Sequence, residues 1–236
     1  MRFVVPRVVP AQPIPCAVLG LAVVAALLAL TGCVTPPVTF KSTPGSVARV
    51  AALHRVAVAP PDVEVQEISA GGVTEKRDDW SAQVSGSVTA ALTHATGYMA
   101  APVLDPAQKE ELAEVQALVR LLTVNHLNAL FAPEILNSGH RTLNFQVGRI
   151  DRLVDACGAD ALLLVFARDN YTTGGRTTLE VLGFAQPVPA LAGAMLVDRD
   201  GTVLWFNYYI EKHEDLRDAG NAQEFAQKLL AGLPRR

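Results

Sequence analysis

The stretch "ALLLVFA", residues 161–167, sets seven apolar residues in a row behind Gly158-Ala159-Asp160. A strand that alternates apolar and polar residues buries one face, whereas an unbroken apolar strand has to be covered on both. A chain organised around such a strand needs a layer on each side of its sheet, and amphipathic helices are the usual cover. The sequence supplies them. In "DDWSAQVSGSVTAAL" the residues Trp80, Val84, Val88 and Leu92 recur every four positions, which predicts a helix over about 79–96 with Asp78 or Asp79 as N-cap and Gly97 near its end. Asp105 as a cap and Pro106 at the first helical position open a second helix, with an apolar face through Leu112, Val115, Val119 and Leu122, running to about 131. Ile150, Leu153, Val154 and Cys157 share one face of a short helix stopped by Gly158, and Phe225, Leu229 and Leu233 mark a last one.

The extended pieces are equally marked. Val56 and Val58, then Val63 and Val65, alternate on either side of Pro60-Pro61, which predicts a strand, a bend and a second strand. "AMLVDRDGTVLWFNYYI" reads as a hairpin turning at Asp198–Gly201. Gly71-Gly72 and Gly174-Gly175 mark two further turns, and the second is predicted to join "ALLLVFARDNYTT" to "RTTLEVLGFA" as another antiparallel pair. Trp80 and Trp205 read as core anchors. The expected fold is an α/β or α+β layered domain, a mixed sheet with an antiparallel hairpin covered by amphipathic helices; 236 residues suffice for one such domain.

The first 32 residues stand apart. Arg2 and Arg7 are the only charges before Lys41, and "AVLGLAVVAALLAL", residues 17–30, has no polar side chain. Fourteen residues fall short of the roughly 20 that span a bilayer, so the run reads as the apolar core of an export signal. Leu30-Thr31-Gly32-Cys33 resembles the bacterial lipobox, in which the cysteine sulfur receives a diacylglyceryl group, cleavage falls just before it, and the new amino group is usually acylated. The competing reading is a plain signal peptide with an Ala-x-Ala type site. Val34, not aspartate, follows Cys33, and resemblance to sorted lipoproteins then implies the inner leaflet of the outer membrane. The expected organisation is a signal peptide over 1–32, a lipidated start and Pro/Thr/Ser-rich tether over 33–53, and one periplasmic domain over 54–236.

Loss of the signal removes two arginines and no acid, taking the formal charge from −3 to −5. No basic cluster survives for nucleic acid, so membrane contact is expected through the lipid alone. Cys16 leaves with the signal and Cys33 is capped, which leaves Cys157 without an intramolecular disulfide partner.

A lipid-anchored domain that opens on "RVAVAPP", centres on "CGADALLLV" and carries "MLVDRDGTVLW" is similar to a group of small envelope lipoproteins. The group includes the curli-secretion lipoprotein, the lipoprotein activators of penicillin-binding proteins, and the domain shared with the amino-terminal part of the Tol translocation protein. "ISAGGVTEKRDDW" and "ARDNYTTGGR" look closest to an uncharacterised branch of it. The resemblance implies a place and a fold more than a task.

Chemistry-bearing patterns are sparse. His54, His94, His126, His140 and His213 lack zinc-site spacing, Asp198 and Asp200 run straight into a strand instead of a calcium loop, and no serine sits in a GxSxG elbow. Cys157, among apolar neighbours, reads as a core thiol. No cofactor or metal is expected. The loops "EISAGGVTEKRDDW" and "ARDNYTTGGR" are richer than chain reversal requires, so Glu75, Arg77, Tyr171 and Arg176 are the candidate partner-binding residues. The expected function is non-enzymatic: protein–protein binding or self-association at the envelope. The alternative is an envelope hydrolase acting on peptidoglycan, with a carboxylate-lined pocket and His126 or His140. A pore-forming assembly would need a long amphipathic segment, and "TTLEVLGFAQPVPALAGA" is too broken by proline.

Overall fold

The computed structural model describes residues 41–42, 44–130, 146–211 and 215–234. The expected signal peptide, Cys33, residues 34–40 of the expected tether, His140 and His213 lie outside them, as does the side chain of His126. One compact unit spans Thr39–Arg236. Its elements run β1 (Lys41–Ser42), α1 (Ser46–Ala51), β2 (Val56–Val58), β3 (Asp62–Ile68), β4 (Thr74–Lys76), α2 (Asp78–Thr96), β5 (Met99–Ala100), α3 (Pro106–Leu130), α4 (Asp151–Ala156), β6 (Ala161–Thr172), α5 (Gly174–Val181), β7 (Ala190–Asp198), β8 (Val203–Glu211) and α6 (Ala219–Leu229).

The strands form one mixed sheet in the order β1-β8-β7-β6-β2-β5, with β3 on β6 and β4 on β3. β6 is its spine. Its first half pairs in parallel with β2, Ala161–Leu163 against Val56–Val58, and its second half in parallel with β3, Phe166–Thr172 against Asp62–Ile68. β2 and β3 are thus successive segments along the same edge of β6. Prolines have no N–H to give a ladder, so Pro60-Pro61 ends one pairing and lets the chain restart the next. Along its other edge β6 pairs antiparallel with β7, and β7–β8 is the hairpin expected, closed by Gly201 N–H donating to Asp198 O at 2.9 Å.

The apolar run of β6 divides by parity. Ala161, Leu163, Val165 and Ala167 enter a core shared with Val84, Val88 and Leu92 of α2, Phe225 and Leu229 of α6, and Trp205. Leu162, Leu164 and Phe166 enter a second core with Leu112, Val115 and Val119 of α3, Ile150, Leu153 and Val154 around α4, and Phe206. Each large apolar side chain so buried contributes roughly 1.5–3 kcal/mol, which makes the two-sided cover the main source of stability. α3 approaches β7 closely at Gly193, where a Cβ would lie 1.9 Å from Thr123 Oγ1.

Several expectations need correction. The segment 34–50, read as a structureless tether, contributes β1 and α1, with Val50 fully buried, so the folded unit reaches further toward the N-terminus than residue 54. Neither Asp78 nor Asp79 caps α2: Arg77 holds the N-cap position, and both aspartates sit in the first turn, where they complement the positive helix end. Gly174-Gly175 opens α5 instead of a hairpin, and the antiparallel partner of β6 is β7. Asp105 does cap α3, accepting from Gln108 N–H at 2.8 Å while Gln108 Oε1 accepts from Asp105 N–H at 2.9 Å.

Candidate functional site

Because β3 and β6 run parallel, with Glu67 level with Tyr171 and Ile68 level with Thr172, the loops that follow both strands emerge at one end of the sheet. They meet there. Thr173 N–H donates to Ile68 O at 3.0 Å, a Cβ on Gly175 would lie 3.2 Å from that of Ala70, and one on Gly72 would lie 3.9 Å from the Arg176 guanidinium. The two segments singled out in the sequence are therefore neighbours.

On the α2–α6 face of this end, Trp80 gathers a polar–aromatic cluster. The Arg77 guanidinium lies 3.8 Å and that of Arg217 4.2 Å from its ring centre, and Tyr171 meets it edge-on at 5.4 Å. Trp80 is half-buried at the rim of the core, a correction to its reading as a core anchor; Trp205 is fully buried as expected. Carboxylates hold both arginines. Arg77 donates to Glu67 at 2.7 Å and to Asp79 at 3.2 Å, and Arg217 donates to Asp215 through Nε at 2.8 Å and Nη2 at 2.5 Å. Tyr171 Oη donates to Asp215 at 3.0 Å and accepts from Leu216 N–H at 3.1 Å.

The electrostatics follow from these contacts. The Arg217 guanidinium, with help from the Arg217 N–H and Tyr171, lowers the Asp215 carboxyl to about 2. Burial, then the Asp169 charge beside it, pushes the Tyr171 phenol far above its ordinary value. A depressed carboxyl stabilises the fold above its unfolded value and loses that contribution as pH falls through the folded one. Thermal stability is therefore expected to decline between about pH 4 and pH 2, with Asp215→Asn flattening part of that slope, and to decline again as pH climbs past about 10. Melting curves across pH 2–11 check both limbs; an unchanged acid slope in the variant would contradict the Asp215 assignment.

Of the four candidate residues, Arg77 and Tyr171 join the cluster. Glu75 is exposed on β4 and stands across the ladder from Glu67, which places it on the same face. Arg176 does not join: it pairs with Glu180 at 3.2 Å and donates to Gln186 O at 2.9 Å, bracing α5 and the loop after it. Sequence reasoning missed Arg217 and Asp215, although their adjacency in "DLRD" just after β8 is a signal of a local ion pair.

On the opposite face Arg120 of α3 binds Asp62 at 2.7 Å and also Glu64, while Arg168 donates to Glu64 at 2.9 Å, both guanidiniums lying over Phe166. This fastens α3 to β3. Elsewhere a shallow groove of about 550 Å³ lies between the ends of α2 and α6, lined by Thr96, Tyr98, Leu230 and Leu233 among others. Among the described residues no three His, Cys, Asp or Glu side chains gather as metal ligands, and no helix is long and apolar enough to cross a membrane. Cys157 is buried, and burial raises its thiol. The chain matches no family model and no curated protein.

Proposed function

We propose that this chain is a lipid-anchored envelope protein, attached through acylated Cys33 at the periplasmic face of the outer membrane, whose folded unit acts without catalysis by binding a protein partner or a second copy. The observation that supports the binding role is the Arg77–Trp80–Arg217–Tyr171 cluster beside the edge strand β4. Arginine, tryptophan and tyrosine are the side chains that most often dominate interface energies, and here carboxylates fix both guanidiniums in place, so little ordering is left to be done on association. Among the described strands β4 pairs with β3 alone, and its Thr74, Glu75 and Lys76 are all exposed. Its outer edge offers backbone groups to an added strand, and a strand added there would run past the cluster.

A photo-crosslinking residue in place of Glu75, in intact cells, is expected to yield one discrete adduct containing an envelope protein or a second copy. The same probe in place of Glu110 on α3 should not. Equal adducts at both positions, or none at Glu75, would overturn the reading.

A further inference from the structure

We infer that the excursion between β6 and β7, residues 174–189, docks on the bilayer surface and lays Val181, Leu182, Phe184 and Val188 into its interface; this rests on the reading that Cys33 is acylated. These four side chains, within eight residues, are exposed by 82%, 60%, 79% and 36%, and α5 buries none of its own residues. They are not loosely hung. Phe184 N–H donates to Leu179 O at 2.8 Å, Arg176 to Gln186 O at 2.9 Å, and Asn170 Nδ2 to Pro189 O at 2.8 Å, so a braced scaffold holds apolar groups in solvent. The segment's two charges, Arg176 and Glu180, pair with each other, leaving the segment itself with no net charge.

The position of β1 says what covers this surface. β1 is antiparallel to β8, with Lys41 opposite Phe206 and Ser42 opposite Trp205, so the chain enters β1 from the end of the sheet where β8 finishes. That end holds Glu211 opposite Ala190, the residue at which the excursion rejoins the sheet. From Lys41 to that point is about 17 Å along the strands and about 10 Å across two of them. The eight residues from Cys33 to Lys41 can span at most about 29 Å. An anchor on so short a lead keeps the bilayer within reach of the end of the sheet that carries Phe184, and an apolar excursion with no net charge suits an interfacial site. The docked surface fixes the orientation of the unit on the membrane, which the lipid alone would leave free.

The test uses the mature, lipidated full chain in vesicles of phosphatidylethanolamine and phosphatidylglycerol containing doxyl-labelled phosphatidylcholine. An environment-sensitive fluorophore is placed at Phe184→Cys or, as control, at Asp200→Cys in the β7–β8 turn at the opposite end of the sheet; Cys157, 3% exposed, does not compete for label. Quenching by the doxyl lipid is expected to be several-fold stronger at position 184 than at 200, with position 184 shielded from aqueous iodide. Protein that floats with the vesicles but shows equal quenching at both positions keeps its anchor and overturns the docking. Shielding from iodide without lipid quenching means that a protein surface covers the patch, and also overturns it. Failure to float removes the anchor and the docking with it.

Discussion

Gly201→Ala is expected to be among the most destabilising single substitutions in the folded unit, lowering stability by about 3–5 kcal/mol, a left-handed penalty and an overpacking penalty together. Gly201 has φ +79, where an L side chain is strained, and a Cβ there would lie 1.8 Å from Gly148 O and 2.6 Å from the carbonyl carbon. The obstacle is main chain, so no rotamer change relieves it. Relief would require lifting residues 146–148 off the hairpin, which breaks the hydrogen bond from Val147 N–H to Gly201 O at 2.9 Å and the bridge between Gln146 and Thr202. Gly97 separates the two contributions: its φ is +71, yet nothing lies within 4 Å of its Cβ position. Gly97→Ala is expected to cost only the left-handed penalty of about 1–2 kcal/mol. At roughly 2–4 °C per kcal/mol for a chain of this size, the Gly201 variant should melt about 10 °C below the parent. Asparagine, which tolerates left-handed backbone, should restore stability at Gly97 and not at Gly201. Equal losses at the two glycines in calorimetry would show that the contact with Gly148 is unimportant.

The layered fold was legible wherever burial is a local pattern. β6 announces its two-sided cover by having no polar residue among its first seven, and α2 and α3 repeat their apolar residues at helical spacing. What stayed hidden depends on pairings between distant residues. Pro60-Pro61 reads as a break, but that the pieces on both sides return to the same edge of β6 is set by residues about a hundred positions later. The misreading of α5 has a local cause. Thr177, Thr178 and Val181 favour strands by their β-branching, yet Thr178 Oγ1 donates to Gly174 O at 2.9 Å and Arg176 pairs with Glu180 one turn on, so the segment satisfies its own polar groups as a helix. At the candidate site, Arg77 and Tyr171 stood out because they lie in loops richer than their turns require. Arg217 and Asp215 did not, because their importance comes from lying against Trp80 and Tyr171, which are 137 and 44 residues away in the chain.

Cys33→Ser is expected to abolish palmitate labelling in cells. A serine oxygen cannot take the thioether-linked diacylglyceryl group that the lipobox resemblance implies, and the acylated amino group that follows cleavage is lost with it. The effect should be large because each buried methylene contributes about 0.8 kcal/mol and one acyl chain alone binds only marginally. Two or three chains are a stable anchor. Cys157 cannot replace the lost site, since it is 3% exposed within the α3–α4 core and burial raises its thiol. Cys157→Ser should therefore keep its label, and the pair of variants separates loss of the acyl site from loss of fold. The exposed side chains at 181–188 sharpen the outcome. If they dock as inferred, Phe184→Ser alone leaves fractionation unchanged and alters only orientation. Retained palmitate in Cys33→Ser would refute the anchor.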